Sequence, residues 1–228
     1  MKISVLMPVY NEKRTIEDIL QLVRGIELDK EIILVDDKST DGTRELLKEL
    51  FGDRKDEVRV IYHQNNSGKG ASIRTALREA TGDYVIVQDA DLEYSPHDMV
   101  KLYECAEETK AVAVYGSRFL EGWRSTSFLH YMVNRFLTSL TNVLFGSSLT
   151  DMETCYKMIR TDVMKELDIR SSRFELEPEI TAKLLKKGYS IREVPISYRG
   201  RTYDEGKKIG WRDGVEALWT IFRQRFTG

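Results

Sequence analysis

The sequence predicts an α/β fold in which one mostly parallel sheet is covered by helices on both faces. In the first half of the chain, short apolar runs alternate with segments whose apolar residues recur every three or four positions. Each helical segment separates two apolar runs and supplies the crossover that parallel strands require. No internal repeat or linker interrupts the 228 residues, so we expect a single domain, 1–228.

Five strands and four helices are predicted in order along this half. Strands are short and apolar, and each helix presents apolar residues on one face. Asp41-Gly42 is a predicted turn in which Asp41 contributes to a helix terminus. The elements are strand 2–8, a helix with Ile16, Ile19, Leu20 and Val23, strand 31–35, a helix with Leu46, Leu47 and Leu50, strand 58–62, a helix with Ile73, Leu77 and Ala80, strand 84–87, a helix with Met99, Leu102, Tyr103 and Ala106, and strand 112–115.

The fourth helix has a predicted start in the run SPHD, 95–98. Serine is a favoured capping residue, and proline is tolerated at the first helical position. An acidic residue in the first turn complements the helix dipole. We therefore predict that Ser95 caps this helix and that Asp98 stabilises its first turn.

Composition and charge argue against several classes of protein. The 41% hydrophobic and 32% charged content is typical of a soluble globular chain, and the net charge of −2 does not favour nucleic-acid binding. Cys105 and Cys155 form no CxxC pair and the three histidines lack metal-ligand spacing, which predicts a reducing compartment and no zinc site. The chain begins with a strand and no apolar run approaches the ~18 residues of a membrane span, which predicts a cytoplasmic protein without a signal peptide.

Polar side chains follow the first four predicted strands. Ligands of open α/β sheets bind at the carboxyl ends of the strands, where these side chains should meet. Two carboxylates one residue apart repel each other unless a cation lies between them, and Mg²⁺ or Mn²⁺ prefers such oxygen ligands. The sequence therefore predicts a divalent cation that holds a diphosphate; the alternative is that the acids only cap helices. The residues are Tyr10, Asn11, Glu12, Asp36, Asp37, Asn65, Asn66, Asp89 and Asp91.

Seven sequence blocks, in this order, resemble those of family-2 glycosyltransferases with the GT-A fold. They are VLMPVYNE (5–12), LVDDKSTDGT (34–43), NNSGKGASIRTAL (65–77), QDADLE (88–93), GSRF (116–119), LTDMETCYKMIR (149–160) and EVPISYRGRTYDEGKKIGW (193–211). The resemblance is closest to the polyprenyl-phosphate sugar synthases, of which dolichol-phosphate mannose synthase is the best-known type. It implies a metal-dependent, inverting transfer of a sugar from a GDP- or UDP-linked donor to a polyprenyl or dolichyl phosphate. It also implies a nucleotide-sugar-binding half, 1–118, and an acceptor half, 119–228.

The resemblance implies roles for individual residues on the donor side. Asp91 would hold the Mg²⁺ or Mn²⁺ that bridges the two phosphates, and Glu93 would be a further metal ligand where relatives often have glutamine. The residues implied in nucleotide-sugar binding are Pro8, Tyr10 and Glu12 in the nucleotide pocket, Asp37 at the base or ribose, Asp89 at the sugar or ribose, and Ala90, Asp91, Arg201 and Lys207.

The acceptor side is implied to contain both cations and acids. Arg118, Arg201 and Lys207 would add positive charge at the donor diphosphate or an acceptor phosphate; the alternative is solvated surface charge. Asp151 would face the acceptor and only position groups if the acceptor is an anionic lipid phosphate. With a hydroxyl acceptor, Asp151 or an acid of FELEPE (174–179) would be the general base. The implied catalytic residues are Asp91, Arg118 and Asp151.

The run NNSGKGASI, 65–73, lacks the pattern of a Walker A motif. Gly68 and Gly70 are instead predicted to allow a tight turn into the third helix. Whether Lys69 or Asn66 also contacts the nucleotide is left open by the sequence.

Two aromatic-rich segments, 123–145 and 207–228, bear on the acceptor. Apolar and aromatic positions with nearby basic residues are typical of amphipathic helices at an anionic membrane surface. The alternative is that both helices pack on the core. Because the tail ends at Gly228 without a span, we expect peripheral contact on the cytoplasmic membrane face, a separate membrane partner, or a homo-oligomer. The apolar positions are Phe128, Met132, Phe136, Leu140, Val143 and Leu144, then Trp211, Val215, Leu218, Trp219 and Phe222.

Other functions are less favoured by the sequence. A receiver-like signalling module would have its acid pair after the first strand, whereas here the pair follows the second. A catalytically inactive sugar-nucleotide-binding protein would not need the intact Asp89, Asp91 and Asp151. A nucleotidyltransferase would need a glycine-rich, arginine-containing loop after the first strand, where this chain has VYNEKRT. A family-2 glycosyltransferase acting on a soluble or saccharide hydroxyl stays open as the alternative acceptor class.

Overall fold

A computed structural model describes residues 1–52, 58–122, 128–173, 175–200 and 211–227, without the side chains of 211–213. The elements of these residues alternate as the sequence predicts, with small shifts of their ends. They are β1 (Ile3–Val9), α1 (Ile16–Arg24), β2 (Lys30–Asp36), α2 (Thr43–Phe51), β3 (Val58–Tyr62), α3 (Lys69–Glu79), β4 (Tyr84–Val87), α4 (Asp98–Thr109), β5 (Ala113–Ser117), α5 (Phe128–Phe145), β6 (Lys157–Arg160), α6 (Thr161–Glu166), α7 (Leu176–Lys186), β7 (Ile191–Pro195) and α8 (Trp211–Phe226).

The described strands form one seven-stranded sheet in the order β3-β2-β1-β4-β6-β5-β7. β6 pairs antiparallel with both β4 and β5, whereas the other pairs are parallel. The predicted mostly parallel α/β sheet is therefore confirmed. Because β6 is antiparallel, its amino end lies at the edge of the sheet where β4 and β5 have their carboxyl ends. This orientation brings the loop 151–156 to the predicted ligand edge.

Helices cover both faces of the sheet because successive strand residues point to opposite faces. On one face, Val5 and Met7 of β1 belong to the core cluster that includes buried residues of α1, α2 and α4. On the other face, Leu6 belongs to a cluster with residues of α3, α6 and α7. A third, smaller cluster joins α5 to α8 through Leu137 and Ile221.

The start of α4 differs from the prediction. The helix begins at Asp98 and has no side-chain cap, so Ser95 does not cap it. The Ser95 carbonyl accepts the Asp98 N–H across a turn, at 3.1 Å. The Asp98 carboxylate accepts the Ser197 N–H at 2.7 Å, so it connects the helix to the segment after β7. Asp41, in contrast, accepts the N–H of Thr43, the first residue of α2, as predicted.

The proposed division into a donor half, 1–118, and an acceptor half, 119–228, stays a prediction. Both halves contribute strands to the same sheet, since β6 and β7 of the second half lie beside β4 and β5 of the first.

Candidate active site

The carboxyl ends of β1, β2 and β4 lie side by side. β1 pairs with β2 up to Val9 and Asp36, and it pairs with β4 up to Leu6 and Val87. This register brings Tyr10, Asp37 and Asp89 to one edge of the sheet. The predicted donor residues therefore share the location that the strand pattern indicated.

Asp37 organises the loop between β3 and α3. Its buried carboxylate accepts N–H groups from Ser67 at 2.9 and 3.1 Å and from Gly68 at 2.7 Å. One of its oxygens also lies 2.8 Å from Nδ1 of His63, whose other ring nitrogen contacts Thr75. The contact of Asp37 with a base or ribose stays a prediction, and the carboxylate already fixes the loop that surrounds it.

Gly68 and Gly70 allow this loop to approach the segment 171–172. Gly68 has φ +91°, and a Cβ added there would lie 2.3 Å from the Ser172 carbonyl oxygen. A Cβ at Gly70 would lie 2.3 Å from the Ser171 carbonyl oxygen. The backbone N–H of Gly70 donates to Ser172 at 2.9 Å. The predicted tight turn is confirmed, and the glycines also permit a contact that no side chain would tolerate.

Lys69 contacts Asp89. Its ammonium group lies 2.8 Å from Asp89 Oδ1, 3.0 Å from the Sγ atom of Cys155 and 3.8 Å from Glu177. Burial lowers the pKa of Lys69, but Asp89, Cys155 and Glu177 outweigh that effect and raise it well above its usual value. Lys69 therefore stays charged and partly neutralises the carboxylate predicted to face the sugar or ribose.

Asp91 and Glu93 lie on the turn after β4. Asp91 is 6% exposed, and its Oδ1 accepts the Glu93 N–H at 3.1 Å. Glu93 accepts the Tyr198 hydroxyl at 2.8 Å. Ala90 is buried and its carbonyl accepts the Thr15 hydroxyl at 2.9 Å, which fixes the turn against the start of α1. Two carboxylates thus lie near each other on a turn that is anchored on both sides.

The remaining predicted donor residues lie on or after β1. Pro8 pairs with Val35 in the sheet, and Tyr10 is 38% exposed beyond the strand end. Glu12 precedes α1, where its carbonyl accepts the Ile16 N–H at 3.0 Å. Arg201 and Lys207 lie outside the described residues, so their roles stay predictions.

Arg118 and Asp151 form a buried ion pair at the same edge. Asp151 is fully buried and accepts Nε of Arg118 at 2.7 Å, Nη2 at 2.8 Å and the backbone N–H of Arg118 at 3.0 Å. Asn134 donates a fourth hydrogen bond at 3.1 Å. Despite burial, which acts to raise it, the pKa of Asp151 is lowered by Arg118. A carboxylate with four donors and a lowered pKa is suited to position the arginine, not to accept a proton.

Tyr198 connects the two groups of predicted residues. Its hydroxyl donates to Glu93, and its ring lies 5.1 Å from the Arg118 guanidinium carbon. The ring of Phe119 lies 5.3 Å from the same carbon. The guanidinium is therefore held by a bidentate carboxylate and by two aromatic rings, close to the Asp91–Glu93 turn.

The acids of the FELEPE segment have other partners. Glu177 pairs with the buried ammonium of Lys157 at 2.6 Å. Glu179 accepts the Ser171 N–H at 2.7 Å and pairs with Lys183 at 2.6 Å. Glu175 accepts the Ser172 N–H through one oxygen at 3.0 Å. These contacts favour structural roles for Glu177 and Glu179, whereas the Oε2 atom of Glu175 is buried without a hydrogen-bond partner among the described residues.

Glu153 is the site residue that the sequence reasoning missed. It lies in the loop before β6, and its Oε1 atom is buried without a hydrogen-bond partner among the residues that the structure describes. Burial raises the pKa of Glu153 to about 7; Glu177 and Asp151 add to the shift, and Lys157 and Arg118 oppose it. The available signal was its spacing, two residues after Asp151 in the motif TDMETC.

This raised pKa predicts the pH dependence of the Glu153→Gln variant. Between pH 4.5 and about 7 the folded chain binds more protons at Glu153 than the unfolded chain, so wild-type stability falls as pH rises. Glutamine cannot ionise, so above pH 7 the variant should be more stable than wild type, by at most about 3 kcal/mol. The gain should vanish near pH 4.5. Denaturant unfolding of the ligand-free chains at both pH values measures it.

Glu31→Gln is the matched control, because Glu31 is a half-buried glutamate at the opposite edge whose pKa is lowered by hydrogen bonds that outweigh its burial. It should lose stability above pH 4.5, the opposite sign. A Glu153→Gln effect that does not change with pH would contradict the assignment of a raised pKa.

The helices α5 and α8 expose apolar side chains. On α5, Phe128 is 62%, Phe136 is 59% and Val143 is 82% exposed, whereas the predicted Leu140 and Leu144 pack on the α5–α8 cluster. One face of α5 therefore packs on the protein, as the alternative predicted, while the face with Phe128, Phe136 and Val143 is exposed. On α8, Ala217 and Ile221 are buried. Among the apolar residues predicted for one side of this helix, Leu218 is partly buried, whereas Val215, Trp219 and Phe222 face solvent. Residues 123–127 and the side chain of Trp211 lie outside the description. No helix within the described ranges is long and apolar enough to cross a membrane.

Comparisons with known proteins identify the family of this chain. The sequence profile of Glycosyl transferase family 2 matches residues 4–168. The chain is 30% identical to a dolichol-phosphate mannosyltransferase of Pyrococcus furiosus over 98% of its own length, and it spans 63% of that relative. It is 27% identical to the polyprenol monophosphomannose synthase of Mycolicibacterium smegmatis, with 90% of the chain and 80% of the relative covered.

A solved structure supports the fold. Glucosyl-3-phosphoglycerate synthase from Mycobacterium tuberculosis, in complex with Mn²⁺, UDP-glucose and phosphoglyceric acid, superposes with a TM-score of 0.71 at 20% identity. The match covers 98% of this chain and 79% of that one. Together with the profile match over most of the sequence, this shows that the chain belongs to glycosyltransferase family 2 and has the GT-A fold.

Proposed function

We propose that this enzyme transfers a sugar from a nucleoside-diphosphate sugar to a polyprenyl phosphate, with Mg²⁺ or Mn²⁺ and with inversion at the anomeric carbon. The observation that carries the proposal is the oriented guanidinium of Arg118, beside the Asp91–Glu93 turn and near an exposed apolar helix face. A lipid phosphate needs these two features together, a fixed cation for its head and apolar surface for its chain. The names of two relatives add support, since both act on polyprenyl-type phosphates.

The donor side fits a divalent cation that is shared with the substrate. Within the described ranges, no group of three His, Cys, Asp or Glu is arranged to bind a metal through protein ligands alone. Mg²⁺ is commonly held by one or two carboxylates, waters and substrate phosphates, and Asp91 and Glu93 suit that arrangement. The ion would neutralise charge that develops on the leaving diphosphate. Asp89, paired with Lys69, would then face the sugar or ribose.

The acceptor side suits a group that is already anionic. An acceptor phosphate oxygen attacks the anomeric carbon, and the bond from that carbon to the diphosphate oxygen breaks, so the electron pair leaves with the nucleoside diphosphate. No proton has to be removed from the acceptor. Asp151, with its four donors, holds Arg118 and takes no proton. Arg135, which donates to the Thr150 carbonyl at 3.2 Å, adds a second cation on this side.

The exposed apolar faces extend from the acceptor side. Asn134, in the first half of α5, contacts Asp151, so this part of the helix lies beside the ion pair. Val133 lies beside Gly214 at the start of α8, with 4.0 Å between its Cγ1 atom and a Cβ added at Gly214. The two helices therefore present neighbouring apolar surfaces, and Arg223 and Arg225 are exposed on α8. Aromatic and basic side chains on one helix favour peripheral contact with an anionic bilayer.

Transfer assays with a short-chain polyprenyl phosphate test the acceptor. We expect labelled sugar to move to the lipid phosphate and not to phosphoglyceric acid or simple saccharides. The triple variant Phe128→Ser, Met132→Ser, Phe136→Ser should bind anionic vesicles more weakly and transfer to the lipid about tenfold more slowly, because it removes apolar area from the lipid path. Its calorimetric affinity for the donor should be unchanged.

The control for this test is Leu22→Ser with Leu50→Ser, which removes exposed apolar side chains from α1 and α2. It should behave as wild type in both assays. Robust transfer to a water-soluble hydroxyl, with none to the lipid phosphate, would overturn the acceptor assignment and leave the family assignment intact.

A further inference from the structure

Glu153 lies at the centre of the loop that joins the donor and acceptor sides. At one end of this loop, Asp151 holds Arg118 at 2.7 Å. At the other end, Cys155 lies 3.0 Å from the Lys69 ammonium, which in turn lies 2.8 Å from Asp89. The reacting sugar must lie between the donor diphosphate and the acceptor. The middle of this loop therefore borders the space that the sugar occupies.

The loop is held rigidly in that place. The Lys157 ammonium donates to the carbonyl oxygens of Met152 and Thr154 on either side of Glu153, and it pairs with Glu177 at 2.6 Å. The backbone N–H of Asp151 donates to Glu193 at 3.1 Å. A carboxylate on a loop that is fixed at both ends is pre-positioned, so its direction does not have to be ordered when a ligand binds.

The Oε1 atom of Glu153 has no partner in the described part of the chain although it is buried. A buried polar atom without a hydrogen bond is destabilising, because it has lost its contact with water without gaining another partner. Such atoms are uncommon in folded proteins, and each one has a specific explanation, such as a ligand or an ordered water that completes the bond. Above pH 7, where Glu153 is ionised, its oxygen can only accept, so the missing partner is a hydrogen-bond donor.

We propose that Glu153 is a sugar-specificity residue whose carboxylate accepts a hydrogen bond from a hydroxyl group of the transferred hexose. The inference rests on the proposed function, because a polyprenyl phosphate has no hydroxyl to donate and its anionic head would be repelled by a second anion. The hexose is the substrate part that carries several hydroxyls and borders this loop. A site built to accept a hydroxyl discriminates strongly against a sugar that lacks it.

Calorimetry with the bare nucleotides and their sugars tests the proposal. Wild type is first screened with UDP, GDP, UDP-glucose and GDP-mannose in the presence of Mg²⁺ or Mn²⁺. For the best donor, Glu153→Ala should lower the affinity about tenfold to a hundredfold, the effect of one hydrogen bond to a charged group. Its affinity for the matching bare nucleoside diphosphate should change less than about twofold. Glu153→Gln keeps an acceptor oxygen and should stay within about threefold of wild type for the donor.

Monodeoxy donors identify the hydroxyl. Wild type should bind one of these analogues about tenfold more weakly than the parent donor. The affinity for that analogue should be the same in wild type and in Glu153→Ala. Glu31→Gln, a half-buried glutamate variant at the opposite edge of the sheet, serves as the control and should bind every donor as wild type does.

The outcomes separate this role from the proposed function. Wild type that binds no nucleotide sugar overturns the proposed function itself. Two results would overturn only the role of Glu153. In the first, Glu153→Ala leaves the donor affinity unchanged. In the second, Glu153→Ala lowers the affinity for the sugar nucleotide and for the bare nucleotide equally. Reduced transfer with unchanged donor affinity would assign Glu153 to proton removal from an acceptor hydroxyl and would also overturn the sugar contact.

Discussion

Removal of divalent metal is expected to abolish transfer, and Asp91→Ala is expected to behave like the metal-free wild type. The leaving diphosphate gains negative charge as its bond to the sugar breaks. A divalent ion stabilises that charge by several kcal/mol, so its loss should lower the transfer rate about a thousandfold or more. Donor affinity should fall as well, since Asp91 would hold the ion that neutralises the donor phosphates. Calorimetry and transfer assays with Mg²⁺, with Mn²⁺ and with a chelator measure both effects.

The variants Asp91→Asn and Glu93→Gln test whether the negative charges at this turn are needed, because both substitutions keep the size of the side chain. Asparagine keeps an oxygen that can accept the Glu93 N–H, so the fold should be retained while metal-dependent affinity falls. Glu93→Gln keeps an acceptor for the Tyr198 hydroxyl and should have the smaller effect. Equal donor affinity with and without divalent metal would contradict the metal assignment.

Arg118→Ala is expected to remove transfer and to destabilise the fold. Without the guanidinium, Asp151 becomes a buried and unpaired charge, which typically costs about 3–5 kcal/mol. If Arg118 binds the acceptor phosphate as proposed, loss of its charge should add about a hundredfold to a thousandfold reduction in transfer. Asp151→Asn should likewise reduce transfer while nucleotide affinity is retained, because Asp151 acts through Arg118. Denaturant unfolding and donor calorimetry separate the two effects.

The double variant Arg118→Met, Asp151→Leu distinguishes stability from chemistry. Replacement of both charges by apolar side chains should restore most of the stability that the single variant loses, since no buried charge is left unpaired. Transfer should stay absent, and donor affinity should be near that of wild type. A double variant that transfers at the wild-type rate would contradict the role of Arg118.

The lowered pKa of Asp151 determines the pH range in which the Arg118–Asp151 ion pair stabilises the fold. Because the folded pKa lies below the usual value of 3.8, the contribution of the ion pair is fully present above pH 3.8. It is lost as pH falls through the lower folded value. The stability difference between wild type and the double variant should therefore shift in favour of the double variant only in strong acid.

Local sequence patterns predicted much of the site because its parts follow strand ends. The spacing of apolar residues predicted the positions of β1 to β5. Parallel strands place their carboxyl ends at the same edge of the sheet. Asp89 and Asp91 were therefore expected beside Asp37 before any contact was known. Arg118 and Asp151 were predicted as catalytic residues because the later sequence blocks resemble those of the family. The start of α4 was mispredicted because a turn at 96–97 competes with the proline-initiated helix, and Asp98 bonds to Ser197, 99 residues away.

Local sequence patterns are sufficient to predict the α/β class, the order of the elements and the chemical types of residue at the edge of the sheet, because these depend on neighbours within a few positions. How those residues pair depends on the three-dimensional fold. The antiparallel β6 brings Glu153 between Asp89 and Arg118, and Tyr198 reaches Glu93 across 105 residues. Periodicity showed that α5 and α8 are amphipathic, but it could not show which apolar side chains are covered. Burial and pairing depend on contacts between distant segments, and a local pattern does not contain that information.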